Sequence, residues 1–547
     1  MPVIARASAC VVLSILALQG CDSGEIFLPE GVVVPNPKCE IDSPPPAPEI
    51  LTPTLGELKQ PEDLIAIELA ANPSGDARLL DIEMWLLAGD GTPILKVWGA
   101  ESTGDALDMN SGQFELGFDA LDSWKRYAVR ARSREGGEFC DFGDWSAYQD
   151  FKIDDGSELY FDEDVIRDVE ITLGQESYDL INAEALPPEC VPYSRPYHPG
   201  TVTFDGVTYE NSGVRVKGGC GSSRNLSEKA SFKINLSDYS EGGLCPMTRR
   251  ARGLKRITVN NQVQDPSHAH ERLAYHFYDL LGIPVPRRAP IRVHVNGELW
   301  GFYLHLESID RRFFRRRYEG AAAEGMVYEG TYFCNLTPNN KPALMGPETC
   351  FSQKFSDTCS TPDPNGDPFD YSPLRTFIDR IDSLTDEEYF TEIQKIVDFP
   401  TFLRQWSADA IMNHWDGSVF DILNNYRVYH NPFTDKWVII PTGMDQSFNL
   451  NQRTVDPWQP GTVIATRCLQ IQECEDAFAV ALRETLNVFE NADMVARTNA
   501  IRTQITADVL ADPRQSSGNF EDRIERTITF IEGRREFIEN ALSAHGY

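Results

Sequence analysis

From residue 159 to 306 the sequence reads as short alternating runs between turn residues, whereas from 374 onward apolar residues recur at helical spacing. A period of two and a period of 3.6 cannot share one layer. The order therefore predicts a β-rich half followed by a helical half, joined near Glu307, as a two-lobed α+β domain over 156–547. The β-rich half contains runs at 202–204, 207–209 and 214–216. It also contains a hairpin from 291–295 to 300–306 whose Asn296-Gly297 turn favours positive φ at both central positions. Between them a helix is expected from Asp265. Asp265 caps it, Pro266 suits its first turn, and Leu273, Phe277, Leu280 and Leu281 form one apolar face before Gly282 and Pro284 end it. The last helix carries the stripe Phe520, Ile524, Ile528, Ile531 and Ile538.

A chain of 547 residues exceeds one core and predicts two or three domains. Its net charge of −33 argues against a nucleic-acid partner, because phosphate backbones recruit Lys and Arg clusters. Residues 1–21 read as a secretory signal: Arg6, an apolar run from 7 to 18, then Leu18-Gln19-Gly20-Cys21. That ending resembles the bacterial lipoprotein box, which implies acylation of Cys21 and an exported, lipid-anchored protein of the bacterial envelope, in the periplasm or at the cell surface. Plain secretion with Cys21 as an ordinary thiol is the alternative. Pro-rich residues 22–48 read as a tether.

Residues 49–153 are expected to form an all-β sandwich. The run from Tyr127 through Trp145-Ser146 resembles the late strands of fibronectin type III modules, and an immunoglobulin-like sandwich fits nearly as well. Without Cys10 and Cys21 an even number of cysteines remains for an oxidising compartment, which favours disulfides. Cys39 and Cys140 are candidates for one pair. Cys468 and Cys474 are close enough for a small loop, while pairing among Cys334, Cys350 and Cys359 is open.

The stretch from 413 to 448 carries the chemistry. A helix containing Phe402, Leu403, Trp406 and Ile411 delivers Asp416 into a loop holding Asn424 and Asn425. Two strands, 426–430 and 436–440, then lead to Asp445. A hairpin returns its end beside its start, so two carboxylates and an amide converge. Phosphoryl transfer uses such a set: one carboxylate takes the proton of the attacking hydroxyl, while another with an Asn holds Mg2+ on nucleotide phosphates.

At these residues the chain resembles the spore coat protein H (CotH) family of atypical kinases. The segment "NNYRVYHNP…WVIIPTGMDQSF" is similar to its Asn-Tyr strand and Pro-x-x-x-Asp turn. "RVKGGCGSSR…KASFKINL" and "VHVNGELWGFYLHLESID" are similar to its earlier elements. The resemblance implies a kinase fold using ATP and Mg2+ (or Mn2+) to phosphorylate Ser or Thr of an envelope or surface protein. It also implies roles. Asp416 is catalytic, Asn425 and Asp445 bind metal, Lys233 or its rival Lys229 contacts phosphate, and Arg215 and Glu307 belong to the ATP site. Where the family often has Trp-Asp-x-Asp, this chain has Thr442-Gly443-Met444-Asp445, one carboxylate fewer. A catalytically weak or inactive scaffold in envelope or coat assembly is the alternative function.

Plainer roles stand beside these. Asp416-Gly417 suits a turn, Asp445 a cap, and Lys233 a solvated strand position. Glu307 suits an ion pair with one of the arginines at 311, 312, 315, 316 and 317. Asp363, Asn365 and Asp367, with Asp370, alternate oxygens as a Ca2+ loop does, although Gly366 and the missing twelfth-position Glu depart from the EF-hand and a turn is the default.

Overall fold

The computed structural model describes residues 47–547 except 53, 56, 60–64, 70–78, 88–90, 101–112, 117–125, 135–142, 185–194, 220, 239–250, 319, 339–349, 354–369, 451–452 and 516–518. The signal segment, Cys21, the tether, the Cys39–Cys140 pair, Cys359 and the Asp363-Asn365-Asp367 loop lie outside the described residues. No described helix is long and apolar enough to cross a membrane.

The chain is mixed α+β with several sheets. At the N-terminal end are β1 (Ile50–Thr52), β2 (Glu57–Lys59), β3 (Ile65–Leu69), β4 (Leu79–Leu87), β5 (Pro93–Ala100), β6 (Gln113–Leu116), β7 (Arg126–Arg134) and β8 (Gln149–Ile153). They form a sheet β1-β3-β6 and a sheet β2-β8-β7-β4-β5. Ile82, Met84, Tyr127, Val129 and Phe151 bury one face of the larger sheet. On the opposite face Arg130 lies over Trp145 and pairs with Glu83, whose carboxyl stays near 2 because the bonds from Lys96, Arg130 and Trp85 outweigh burial.

The β-rich half closes on itself. β9 (Arg167–Thr172), β10 (His198–Phe204), β11 (Val207–Lys217), β12 (Ser231–Asp238), β13 (Arg256–Asn260), β14 (Arg288–Val295) and β15 (Glu298–Leu306) form a barrel in the order β10-β11-β12-β13-β15-β14-β9. Parallel pairing of β9 with β14 completes the ring and leaves no open edge. Alternation assigns the faces: Val214, Val216, Phe232, Ile234, Ile257 and Val259 fill the barrel. The residues between them, Arg215, Lys217, Lys233, Arg256 and Thr258, therefore point outward, into a cleft. The hairpin turn adopts φ of 51° at Asn296 and 82° at Gly297, as its sequence predicts.

Helix α1 (Gln175–Ala183) packs on β10, and α2 (His270–Leu280) follows β13. α2 begins four residues later than the sequence suggested. Residues 265–269 form a turn in which the Asp265 carboxylate accepts from the Ser267 and His270 amides at 3.0 and 2.8 Å. Leu273, Phe277 and Leu281 are buried as expected, but Leu280 is 48% exposed.

The helical half contains α3 (Arg311–Arg317), α4 (Ser372–Ser383), α5 (Asp386–Ile396), α6 (Phe399–Met412), α7 (Val463–Cys468), α8 (Gln472–Asn491), α9 (Met494–Ala511) and α10 (Phe520–Ala544). A small sheet, β17-β16-β18-β19, sits with them: β16 (Val327–Gly330), β17 (Phe351–Gln353), β18 (Tyr426–Asn431) and β19 (Lys436–Pro441). The core is aromatic around α6, where Trp406 stacks on Phe478 of α8 with centroids 3.6 Å apart. Disulfides join Cys468 to Cys474, between α7 and α8, and Cys334 to Cys350, between the segments flanking β16 and β17.

Candidate active-site cleft

Helix α6 must stop abruptly for Asp416 to leave it. Asn413 turns left-handed (φ 59°) and the His414 amide donates back to the Asp409 carbonyl at 2.8 Å. The carbonyls of Ala410 and Ile411 accept from the buried Arg534 guanidinium of α10, at 2.6 Å for Ile411. Burial pulls Arg534 down to about 9, and the negative end of α6 gives the cation its partner. Glycine is required at 417, because a Cβ there would lie 2.4 Å from the His414 ring.

The loop then binds Asp416 in place. Asn425 Nδ2 donates to Asp416 Oδ2 and to its backbone oxygen, each at 3.0 Å, and Asn424 Nδ2 donates to Oδ1 at 3.3 Å. β18 pairs with β19 in the register Tyr426↔Pro441, and the Thr442 amide donates to the Asn425 carbonyl at 2.8 Å. This brings the chain after β19 back to Asn425. Gly443 adopts φ 65°, and a Cβ on it would lie 2.6 Å from Asn425 Cγ and Oδ1. The space of a side chain at 443 is thus filled by the Asn425 amide. Asp445 follows, its carbonyl accepting from His270 Nδ1 at 3.0 Å.

Asp416, Asn424, Asn425 and Asp445 all line one cleft of about 490 Å³ between the barrel and the helical half. Burial raises the Asp416 carboxyl to about 6, with Asp445 adding to the rise and His414 and the two amides opposing it. Asp445 is raised by burial and by Asp265, against Lys217, His270 and His414. Glu271, from the first turn of α2, also faces this point. Burial and the Asp445 charge raise it to about 8, and Asn260 donates to its Oε2 at 2.6 Å. Its Oε1 is buried without a hydrogen-bond partner. Asp445 lies within electrostatic reach of both Asp416 and Glu271, and these like charges disfavour full ionisation at this end of the cleft.

The barrel wall opposite is cationic. Lys217 stands at the end of β11, just before Gly218 and Gly219. Enclosure lowers its proton affinity, while Glu271 and Asp445 work to restore it. Lys233 is pushed down further, by enclosure and by Arg256, Arg215 and Arg427, with Glu329 opposing. Arg215 lies in the cleft, donates to the Arg195 carbonyl at 2.8 Å and rests over Tyr197.

Two sequence expectations need correction. Lys229 is not among the cleft-lining residues. It is buried against Asp512, with Nζ–Oδ2 2.7 Å, and ties the barrel to the end of α9, because its position precedes β12 and faces the C-terminal helices. Glu307 borders the cleft, but Arg287, Arg316 and Arg317 occupy its carboxylate at 2.9–3.2 Å. Those arginines outweigh burial and hold it ionised well below the usual carboxylate range. Two more members of the basic run, Arg311 and Arg315, pair with Glu324.

Sequence reasoning missed Lys217, Glu271 and His414. Lys217 is in phase with Arg215 on a period-two strand, and that phase alone could have found it. His414-x-Asp416 repeats the His-x-Asp spacing of a kinase catalytic loop. Glu271 had no signal while α2 was expected to begin at Asp265.

The fold and site define a class: an α+β protein whose cleft, between a closed barrel and a helical body, sets clustered carboxylates against cations. The family model described as CotH kinase protein matches residues 214–538, and the chain belongs to that family. It is 23% identical over 305 residues to the inner spore coat protein H of Bacillus subtilis, covering 53% of this chain and 80% of that one. It is 25% identical over 364 residues to invasin CotH2 of Rhizopus delemar, covering 60% of this chain and 56% of that one. Among solved structures, the proinflammatory kinase CtkA of Helicobacter pylori aligns at 11% identity over 60% of this chain and 95% of that one, with a TM-score of 0.25, too low to carry an argument.

Proposed function

We propose that this chain is a kinase of the CotH family that transfers the γ-phosphoryl group of ATP to a Ser or Thr hydroxyl of an envelope or surface protein. The observation that carries the reading is the convergence of Asp416, Asn425 and Asp445 in one cleft, facing Lys217 and the Gly218-Gly219 turn. Asp416 accepts the proton of the attacking hydroxyl as its oxygen bonds to the γ-phosphorus and the bond to ADP breaks. Asn424 and Asn425 hold the Asp416 carboxylate in one orientation. Lys217, between Glu271 and Asp445 in charge, neutralises phosphate oxygens.

Asp445 and the Asn425 amide oxygen fit Mg2+ or Mn2+. No group of three His, Cys, Asp or Glu among the described residues cages a metal, and Mg2+ bound with nucleotide phosphates needs only one or two carboxylates. The unpartnered Glu271 Oε1 and the raised Asp445 fit a cation there as well. When bound, the ion neutralises charge developing on the phosphates.

Acylation at Cys21 would hold the protein at a membrane of the envelope, on the reading of residues 1–21 as a lipoprotein signal. The test uses the soluble chain after Cys21. Mg2+ and ATP together should raise its unfolding temperature, in line with RT ln(1 + [L]/Kd), and Asp445→Asn should abolish the rise. No rise in the parent protein sinks the proposal. A rise without transfer to any protein hydroxyl would mark a binding scaffold, the second reading, which Gly443 in place of a family carboxylate favours.

A further inference from the structure

The cations of the cleft fall into two groups. Lys217 stands where the carboxylates are, its surroundings being Glu271, Asp445 and Glu329. The charges that act most on Lys233 are Arg256, Arg215, Arg427 and Glu329. Register explains the separation. Lys233 lies opposite Arg215 on β11 and Thr258 on β13, and Arg256 is two residues further along β13, away from the Gly218-Gly219 turn. Arg427 approaches from β18 on the other wall, so the second group spans the cleft.

Their partners differ too. Arg427 is engaged by Glu329 at 3.0 Å and by the Ile309 carbonyl at 2.9 Å. Beyond their backbone pairing, the side chains of Lys233 and Arg256 make no hydrogen bond or ion pair among the described residues, and Arg256 Nε is buried without a partner. Like charges gathered on one wall, partly desolvated and unpaired, destabilise the empty protein, and such a feature points to a ligand that repays it. The ligand must be anionic. A nucleoside base can stack on a guanidinium but leaves the charges uncompensated.

We propose that Lys233 and Arg256 form a second phosphate-binding subsite, apart from the Lys217 end, so that the cleft takes a linear polyphosphate reaching from one to the other. This rests on the phosphoryl-transfer reading and adds a second donor class to it. In the reaction the acceptor oxygen bonds to the terminal phosphorus, the P–O–P bond breaks, the chain leaves shortened by one phosphate, and the hydroxyl proton passes to Asp416.

The experiment measures unfolding temperature and binding of the soluble chain with Mg2+ and either tripolyphosphate or ATP. Variants are Lys233→Met, Arg256→Met, the charge-keeping Lys233→Arg, and Asp445→Asn. Tripolyphosphate should bind the parent protein. Each Met variant should weaken it about tenfold or more, the scale of one charged hydrogen bond to phosphate, while Lys233→Arg retains most of the affinity. Without ligand, Lys233→Met should melt at a higher temperature than the parent, because a repelled, enclosed charge has gone; a purely structural lysine would melt lower. Failure of tripolyphosphate to bind overturns the proposal, as does equal binding by parent and Met variants. If ATP binding depends on Asp445 while neither Met variant changes either ligand, the subsite is refuted and the kinase reading stands. If ATP binding is absent but tripolyphosphate binding depends on Lys233 and Arg256, the subsite stands and the nucleotide reading falls.

Discussion

Replacing Gly443 by Ala tests the packing that holds the cleft together. The φ of 65° costs a residue with a Cβ about 1–2 kcal/mol. The new methyl would also lie 2.6 Å from Asn425, so the amide must move and weaken its two 3.0 Å bonds to Asp416, one to the carboxylate and one to the backbone carbonyl, about another 1–2 kcal/mol. Gly443→Ala should therefore destabilise by about 2–4 kcal/mol. Asn425→Ala alone removes the same bonds and should cost about 2 kcal/mol. In the double variant the collision has no partner, so the sum should overshoot the measured loss by about 1–2 kcal/mol. Urea denaturation of the soluble chain, followed by tryptophan fluorescence, supplies all four corners of the cycle. Additive losses, within about 0.3 kcal/mol, would refute the idea that Asn425 fills the space of a side chain at 443.

His305 is buried and stacked on Phe161, and burial lowers it from 6.5 to about 4. The unfolded chain then binds a proton that the folded chain refuses, so this residue's contribution is complete above pH 6.5 and falls as pH drops toward 4, by about 3 kcal/mol. The loss of denaturation free energy between pH 7 and 4 should be smaller in His305→Gln by about that amount. Arg534→Met should strand the Ala410 and Ile411 carbonyls and destabilise by about 2–3 kcal/mol; it should also weaken Mg2+–ATP binding, although position 534 is no part of the cleft lining, and unchanged binding would deny that α10 supports the loop. Opening the Cys334–Cys350 bridge (16 residues apart) by Ser substitution should cost about 3 kcal/mol, against about 2 for Cys468–Cys474 (6 apart), as unfolding curves can measure.

The sequence made the hairpin geometry legible because its signals are local. Asn296-Gly297 specifies its turn by backbone preference, and 426–441 pairs over a short turn, so Asp416, Asn425 and Asp445 could be brought together on paper. The short Cys468–Cys474 loop was legible for the same reason. What escaped depended on partners distant in sequence. Parallel pairing of β9 with β14 closes the barrel across more than a hundred residues. The outward phase of Arg256 follows from which face that closure buries. Lys229 looked like Lys233 in the sequence; only the approach of Asp512, far down the chain, separates them. Glu271 was hidden because a DPSHA segment that reads as a helix start folds as a turn.

The grip of Arg534 on the end of α6 has a consequence for assembly. The loop bearing Asp416 lies more than a hundred residues before the helix that braces it. During synthesis that loop emerges long before its brace. The chain is then held without a finished cleft until almost all of it is available to fold, which leaves the Asp416 loop unbraced to the end of its own maturation.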